Sequence, residues 1–327
     1  MTNDPRPDPA TLIEIYRKAT LIRQNDERVI KEMKAGRLVT PYYSPRGQEI
    51  IPSALSVCLN NADKIVTIYR GTHDMLAKGF PLGPLWGELA GRVTGSCRGK
   101  GGTMHLTHPE SGCMVTTGVV GSSMPIATGL GWAAQLDGKG QVAVANFGDG
   151  AANIGAFHES LNMAALWNLP VIFVCQNNRY AEHTSFANSS LVERIAIRAE
   201  GYGMAGVTVN GNDPDAMYGA ARIAVDRARA GEGPTLIEAM TFRFNGHLIG
   251  DAGSYIPKDE LAAALEKDPV PLLRTRLIAE GIASVDKLAA MEADIAAQIS
   301  EAVAAAYAAD IPGLIELKRD VFAEELA

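Results

Sequence analysis

Two polar tripeptides in the middle of the chain combine residue types that bind magnesium. A GDG tripeptide containing Asp149 follows one apolar run, and a QNN tripeptide ending in Asn178 follows the next. Mg²⁺ in phosphate sites combines one or two protein oxygens with phosphate oxygens and water, so a carboxylate and an amide suit it. If both runs are strands of one parallel sheet, Asp149 and Asn178 lie beyond the carboxyl ends of their strands and face the same crevice.

The residues around Asp149 also suit a phosphate group. Gly148 and Gly150 let the backbone approach a ligand closely. The helix expected directly after the tripeptide would direct its N–H groups and the positive end of its dipole at the crevice. Because a diphosphate needs a divalent cation to neutralise its charge, these features together predict a site for a magnesium-bound diphosphate.

Two other phosphate-binding motifs do not fit the sequence. The dinucleotide fingerprint G-x-G-x-x-G, started at the GDG tripeptide, would need glycine where the chain has Asn153. A P-loop around Lys100 would need glycine in place of Thr94 and serine or threonine in place of Gly101. A nicotinamide-dependent oxidoreductase is therefore the weakest of the alternatives.

The elements that must position this site form a strand–helix–strand unit. Apolar runs at 142–147 and 170–175 predict two strands, and the periodicity of 157–169 predicts the connecting helix, as in a parallel sheet. A further apolar stretch, Thr235–Ala239, predicts a strand that leads into the polar FRFNGH segment. The predicted fold class is α/β, an open parallel sheet with helices on both faces.

Helical patterns flank this region on both sides. Apolar residues recur at helical spacing over Thr11–Lys34. The stretch Lys258–Ala327 is rich in alanine and helical in pattern, and Ser284 is a candidate N-cap for a helix that reaches about Ala309.

The region 41–121 has a different character, with short helical patterns between glycine-dense turns. The densest turn, CRGKGGT at 97–103, is of a kind that approaches a ligand or another backbone segment. We expect an N-terminal helical extension at 1–40, a diphosphate-binding α/β domain at 41–257, and a C-terminal helical region at 258–327 packed on the same domain.

The composition disfavours several classes of protein. With 47% hydrophobic and 20% charged residues among 327, the chain is typical of a globular protein. A net charge of -7 and the lack of a Lys/Arg stripe argue against nucleic acid or an anionic membrane as partner. The chain has no run of about 18 apolar residues and begins with MTNDPRPDP, so we expect a cytoplasmic protein. Its four cysteines include no C-x-x-C pair, which favours free thiols.

One long segment resembles a known cofactor-binding signature. Residues 148–184, GDGAANIGAFHESLNMAALWNLPVIFVCQNNRYAEHT, are similar to the alpha subunits of pyruvate, branched-chain 2-oxo acid and acetoin dehydrogenases. The resemblance extends over most of the chain and implies the thiamine diphosphate-binding fold, with thiamine diphosphate and magnesium as cofactors. Its other segments are YRGTHDMLAKG, GSCRGKGGTMH, TTGVVGSSMPIATGLG, GPTLIEAMTFRFNGHLIGDAGSY and ELKRDVFA.

The family pattern implies roles for individual residues. Magnesium would be held by Asp149, Asn178 and the backbone carbonyl of Tyr180. His247, in the FNGH segment, would be the active-site histidine beside the diphosphate and the substrate. The family pattern also implies a loop beside the aminopyrimidine ring, Gly118 to Val120. The implied contacts to the diphosphate are Tyr69, Arg70, Arg243, Gly148, Gly150 and Ala151.

The resemblance also implies an activity and partners. The cofactor would cleave a 2-oxo acid, with loss of carbon dioxide, or an acetoin-like acyloin, and the acyl unit would pass to a lipoyl group. In this family a separate beta subunit supplies the carboxylate that activates the aminopyrimidine. We therefore expect an alpha2-beta2 tetramer, a chain that is inactive alone, and a lipoyl acyltransferase core as a further partner.

The chain departs from the pyruvate and branched-chain members at three positions. Tyr43, Thr72 and Asn245 stand where many of these members have histidine. His73 follows Thr72 and is a candidate to replace the lost ring, which makes it the second candidate catalytic residue beside His247. The segments YAEHTS and GDA look more like acetoin-type members and favour acetoin or another small ketone-alcohol.

Two questions stay open at this point. The substrate is either a 2-oxo acid or an acyloin. Because three histidines are replaced, a cofactor-binding but noncatalytic partner subunit is the alternative to an enzyme.

Overall fold

A six-stranded β-sheet forms the centre of the computed structural model, which describes residues 5–320. The described residues contain eight strands, six of which form this sheet: β1 (Lys64–Ile68), β2 (Cys113–Thr117), β3 (Ala143–Gly148), β4 (Val171–Asn177), β5 (Tyr180–Ala181), β6 (Thr184–Ser185), β7 (Ala205–Asn210) and β8 (Thr235–Met240). The order in the sheet is β2-β1-β3-β4-β8-β7, and every neighbouring pair is parallel. β5 and β6 form a small antiparallel hairpin. The predicted open parallel sheet is confirmed.

Helices cover both faces of this sheet. They are α1 (Pro9–Lys34), α2 (Ile50–Ser56), α3 (Thr72–Lys78), α4 (Leu82–Leu89), α5 (Ser123–Asp137), α6 (Gly155–Leu166), α7 (Phe186–Ser189), α8 (Pro214–Arg229), α9 (Lys258–Leu265), α10 (Pro269–Ala279) and α11 (Val285–Ala308). Residues of β4 alternate between two buried clusters, as the period of a strand requires. Ile172 and Val174 pack in the cluster that contains α1, α8 and α11, whereas Phe173 and Cys175 pack in the cluster with α5 and α6.

The flanking helices were predicted with small errors at their ends. α1 begins two residues earlier than predicted, because Asp8 caps it by accepting a hydrogen bond from the backbone N–H of Thr11 at 2.7 Å. Ser284 caps α11 through the N–H of Lys287 at 3.2 Å, as predicted. Buried residues of α1, α10 and α11 belong to one cluster with the sheet. Residues 321–327 of the predicted C-terminal helical region lie outside the described residues.

The sequence-based expectation missed five strands (β1, β2, β5, β6 and β7) and three helices (α5, α7 and α8), and it misplaced the start of α6. β1 and β2 lie in the region read as short helices and turns, and β7 was not predicted at all. The helix after the GDG tripeptide does not begin directly: a 3-10 turn, Asp149–Asn153, comes first, and α6 begins at Gly155. The N–H groups next to Asp149 therefore belong to the 3-10 turn and not to an α-helix.

The glycine-dense CRGKGGT loop encloses a buried side chain. The carboxylate of Glu88, at the end of α4, accepts hydrogen bonds from four backbone N–H groups of the loop. These donors belong to Cys97, Gly99, Gly101 and Gly102. The loop is thus held by an internal anion.

Two expectations drawn from composition can be compared with the structure. All four cysteines are free, and Cys58, Cys113 and Cys175 are buried. Among residues 5–320, no helix has the length and apolar character needed to cross a membrane.

Candidate active site

The predicted site residues follow four neighbouring strands at one edge of the sheet. Arg70 follows β1, Asp149 follows β3, Asn178 follows β4 and Arg243 follows β8. Gly148 pairs with Gln176 in the β3–β4 ladder, so the GDG and QNN tripeptides lie side by side. The carboxyl ends of these strands therefore meet at one crevice, as predicted.

The GDG loop makes close contact with the segment that follows β4. A Cβ atom on Gly150 would lie 2.6 Å from the Cβ of Ala181. Because real Cβ atoms do not approach so closely, only glycine fits at this position. The glycine thus brings the turn that carries Asp149 against the loop that carries Asn178.

Asp149 has a buried carboxylate oxygen with no partner. The side chain is almost fully buried, and its Oδ2 makes no hydrogen bond in the described part of the chain. Burial raises the pKa of Asp149 to about 6, although the positive charges of Arg243 and Arg70 oppose the shift. An unsatisfied buried acceptor costs about 1–3 kcal/mol, and a bound cation would remove that cost.

The amide of Asn178 is held with its oxygen in a defined direction. Its Nδ2 donates to Oε1 of Gln48 at 2.8 Å, and its Oδ1 accepts from the N–H of Tyr180 at 3.2 Å. An amide oxygen has a second lone pair, which leaves Oδ1 able to bind a cation. The role predicted for the carbonyl of Tyr180 stays a prediction.

The composition of this donor set fits magnesium better than a softer metal. No group of three or more His, Cys, Asp or Glu side chains within residues 5–320 is placed to hold a metal ion. One carboxylate and one amide oxygen match a cation that takes most of its ligands from phosphate and water. The residues present therefore fit magnesium bound together with a diphosphate.

Two buried guanidinium groups lie beside this donor set without forming an ion pair within residues 5–320. Arg70 donates to the carbonyls of Ser44 at 2.8 Å and His247 at 2.9 Å. Arg243 donates to the carbonyl of Glu182 at 2.9 Å and to the hydroxyl of Tyr255 at 2.6 Å. Both side chains are 3% exposed or less.

The electrostatics of this arginine pair favour an anion. Burial, followed by the charge of Arg243, lowers the pKa of Arg70 to about 10. Buried charges are costly unless they are paired, so two adjacent cations in one crevice require a negative partner. A diphosphate suits them because guanidinium groups bind phosphate oxygens through forked, charge-assisted hydrogen bonds.

His247 lies against the two arginines and two tyrosines. Its Nδ1 is 3.4 Å from Arg70 Nη2 and 3.5 Å from Arg243 Nη1, and its ring centroid is 5.2 Å from that of Tyr43 and 5.8 Å from that of Tyr69. Burial, Arg70 and Arg243 together lower the pKa of His247 to about 4. The ring is therefore neutral near pH 7, and donors facing Nδ1 place its single proton on Nε2.

His73 lies in different surroundings from those expected of a catalytic residue. The ring is 1% exposed, with Nε2 2.7 Å from Gln176 Oε1 and Nδ1 3.1 Å from the carbonyl of Arg70. Both ring nitrogens are thus occupied by protein atoms. This geometry favours a positioning role over the predicted replacement of a histidine at Thr72, which is itself buried at the start of α3.

The other two residues that stand in place of family histidines, Tyr43 and Asn245, lie closer to His247. Tyr43 contributes one of the rings packed around it, and Asn245 donates from Nδ2 to Ser44 Oγ at 2.8 Å. The loop after β2, predicted to contact the aminopyrimidine, is open to solvent: Val120 is 50% exposed. Gly118 and Val120 stay predictions as cofactor contacts.

Sequence reasoning missed the residues that hold the site together. Gln48 and Gln176 form a hydrogen bond of 3.2 Å in the interior, and Glu238 accepts from Asn177 Nδ2 at 2.8 Å. The signal was present, because Gln48 belongs to the RGQE segment beside Tyr43 and Gln176 opens the QNN tripeptide. Their contact spans elements far apart in sequence, which no local pattern reveals.

Similarity to known proteins extends over nearly the whole chain. The alpha subunit of acetoin:2,6-dichlorophenolindophenol oxidoreductase from Cupriavidus necator is 39% identical over 316 residues, covering 96% of this chain and 95% of that protein. Its counterpart from Bacillus subtilis is 39% identical over 309 residues, covering 94% and 92%. The pyruvate dehydrogenase E1 component subunit alpha of Rhizobium meliloti is 35% identical over 310 residues, covering 94% and 89%. Residues 16–314 match the family described as dehydrogenase E1 component, and the chain belongs to that family.

Proposed function

We propose that this chain is the alpha subunit of a thiamine diphosphate-dependent dehydrogenase that acts on a ketone-containing substrate. The observation that carries the proposal is that, within residues 5–320, a carboxylate oxygen of Asp149 has no partner and lies near two buried arginines that form no ion pair. Magnesium would bind Asp149 and Asn178, and Arg70 and Arg243 would bind the diphosphate. When bound, thiamine diphosphate supplies a carbon nucleophile and an electron sink for cleaving the bond beside a carbonyl.

The protein's own contribution is to position groups and to hold a proton. His247 is neutral and carries its proton on Nε2, so it can donate a hydrogen bond to a substrate oxygen. The guanidinium groups that lower its pKa also fix its ring through Nδ1. The half-buried rings of Tyr43 and Tyr69 pack against it and limit the access of water to the same space.

The surroundings of His247 favour an uncharged substrate. In this proposal both nearby arginines bind the diphosphate, and the rings that pack against His247 are those of Tyr43, Tyr69 and His183. A carboxylate substrate would need a further cation, whereas acetoin would not. The relatives at 39% identity are named for acetoin, which agrees with this preference.

An exposed apolar face supports the proposal of a partner subunit. α5 and α6 present large apolar side chains to solvent, and the rings of Trp132 and Trp167 are 5.3 Å apart. Contiguous apolar patches of this kind mark protein–protein contacts. The exposed members are Ile126, Trp132, Leu136, Met163, Leu166 and Trp167. α5 follows the Gly118–Val120 loop, so a beta subunit on this face would reach the cofactor and could complete an alpha2-beta2 tetramer.

Calorimetry tests the proposal. The chain, purified with its copurifying partner, is titrated with thiamine diphosphate in excess Mg²⁺, and we expect Asp149→Asn to abolish the binding heat. Asp137→Asn is the matched control, because Asp137 is exposed and pairs only with neighbouring surface groups in the described part of the chain. Absence of binding by the wild type, or equal binding by Asp149→Asn, would contradict the proposal.

Product analysis separates the candidate activities. With 2,6-dichlorophenolindophenol as electron acceptor, acetaldehyde from acetoin supports an acyloin substrate, whereas carbon dioxide from a 2-oxo acid supports the alternative. Cofactor binding without turnover of either class would favour a noncatalytic subunit. Transfer of the acyl unit to a lipoyl domain is tested by adding that domain to the same assay.

A further inference from the structure

Three buried amide side chains connect the candidate magnesium site to the interior. We call Asn178, Gln48 and Gln176 the amide chain. Asn178 Nδ2 donates to Gln48 Oε1 at 2.8 Å, and Gln48 Nε2 donates to Gln176 Oε1 at 3.2 Å. Gln176 Nε2 donates to Asp74 Oδ1 at 2.8 Å. All three amides are at most 6% exposed, so water cannot replace these partners freely.

Groups with fixed chemistry determine the direction of the amide chain at both ends. The backbone N–H of Tyr180 can only donate, so the Asn178 atom that it meets must be Oδ1. At the other end, the carboxylate of Asp74 can only accept, so the Gln176 atom that it meets must be Nε2. Gln48 lies between them and satisfies both neighbours in one orientation only.

His73 and Asp74 support the inner end of the amide chain. The ring of His73 lies between two acceptors, with Nδ1 3.1 Å from the Arg70 carbonyl and Nε2 2.7 Å from Gln176 Oε1, so Gln176 meets the ring with its oxygen. The Asp74 carboxylate accepts from Gln176 Nε2 through Oδ1, and Thr67 donates to its other oxygen. Gln176 therefore has no second orientation that keeps its partners.

Reversing the amide of Asn178 would damage the metal site. Its NH2 group would then face the Tyr180 N–H, a donor against a donor, and would also occupy the place of Oδ1, the atom able to bind a cation. Gln48 opposes this reversal because its Oε1 would lose the Asn178 donor. Ligands of bound metals commonly depend on such supporting hydrogen bonds, and their loss lowers metal affinity by about 10–100-fold.

We propose that Gln48 is a positioning residue for the magnesium site, which holds Asn178 with Oδ1 available to the metal and is itself held by Gln176 and Asp74. This inference rests on the proposed function, because it assumes that Asn178 binds magnesium there. Gln48 does not contact the metal itself. It acts through the orientation of a side chain that does.

Two substitutions of Gln48 distinguish this role from simple packing. Gln48→Met removes the acceptor for Asn178 Nδ2, whereas Gln48→Glu keeps it. In the complex with the partner subunit and saturating thiamine diphosphate, we expect Gln48→Met to raise the dissociation constant for Mn²⁺, measured from the electron paramagnetic resonance of the free ion, about 10–100-fold. Gln48→Glu keeps the acceptor for Asn178 Nδ2 and loses only the donor to Gln176 Oε1, so it should raise the constant by no more than about 3–10-fold. If Gln48 only filled space, Gln48→Glu would weaken Mn²⁺ binding more than Gln48→Met, because burying a carboxylate costs more free energy than burying a methionine.

Turnover supplies an independent readout. At saturating Mg²⁺ the kcat of Gln48→Met should return to within about threefold of the wild type, since the defect lies in metal affinity. His108→Gln is a control, because that ring bonds to Ser111 away from the crevice. Should Gln48→Met fail to assemble, Gln176→Met, which removes the next support, should raise the Mn²⁺ constant about 3–10-fold.

The outcomes separate this inference from the proposed function. If the wild-type complex binds Mn²⁺ and Gln48→Met binds it within twofold as well, or Gln48→Glu is as weak as Gln48→Met, the positioning role is wrong and the proposed function stands. If the wild type with thiamine diphosphate binds no Mn²⁺, the proposed function itself is wrong, and this inference falls with it.

Discussion

Replacing Arg243 with methionine should weaken cofactor binding without destabilising the free protein. Arg243 and Arg70 each lie within 3.5 Å of one atom, His247 Nδ1, so their nearest nitrogens are about 7 Å apart or closer. At an effective dielectric constant near 20, two positive charges about 7 Å apart repel by about 2 kcal/mol. The low pKa of Arg70, about 10, reflects burial first and this repulsion second. An anion would convert the repulsion into attraction to both groups.

The two effects of the substitution can be estimated separately. Loss of a forked, charge-assisted contact to the diphosphate removes about 3 kcal/mol, or roughly a hundredfold in affinity. In the free protein, relief of the repulsion and of the burial of a charge offsets the hydrogen bonds that Arg243 makes to Glu182, Asn245 and Tyr255. Replacing buried charges with apolar side chains is often neutral or stabilising, so the Tm should stay within about 3 °C or rise.

Titration calorimetry with thiamine diphosphate and Mg²⁺, together with thermal unfolding of the ligand-free complex, measures both effects. Arg222→Met is the matched control, since Arg222 forms an i,i+4 pair with Asp226 at the surface. It should change neither quantity by much. An Arg243→Met variant that binds the cofactor within threefold of the wild type, or that loses 10 °C in Tm, would refute the reasoning.

Three further predictions follow from individual side chains. Glu88→Gln should lower the Tm by about 4–8 °C in thermal unfolding, because the carboxylate accepts four backbone N–H bonds. Glu110→Gln, at an exposed site, should leave the Tm unchanged. Trp132→Glu should weaken association with the partner at least about tenfold by size-exclusion chromatography with light scattering, and Val285→Glu, equally exposed on α11, should not. Burial and the two nearby guanidinium groups lower the pKa of His247 from 6.5 to about 4, so its contribution to stability is complete above about pH 6.5 and is lost as the pH falls through 4. The Tm of His247→Gln should therefore fall less than that of the wild type between pH 6.5 and pH 4. Parallel curves of Tm against pH for the two proteins would contradict the assignment.

The sequence predicted those parts of the fold that have local patterns. α1 shows helical periodicity over its whole length, and β3, β4 and β8 are apolar because the sheet buries them on both faces. β7 escaped prediction because it lies at the edge of the sheet and its side chains are only partly buried. β1 and β2 are five residues each, and what makes them strands is pairing with distant segments.

The site was predictable to the extent that strand ends identify it. Asp149 and Asn178 were found because they follow apolar runs, and the structure brings the ends of those strands together. The orientation of the Asn178 amide was not predictable, because its Nδ2 donates to Gln48, 130 residues away in sequence. The environment of His73 was hidden for the same reason, since its partner Gln176 lies 103 residues away.

A structure of the complex determined with Mg²⁺ and thiamine diphosphate tests the central claim most directly. We predict the diphosphate between Arg70 and Arg243, with the metal bound by Asp149 Oδ2 and Asn178 Oδ1 and the Gln48–Asn178 hydrogen bond intact. Density for the cofactor elsewhere, or a metal that does not contact Asp149, would contradict the account.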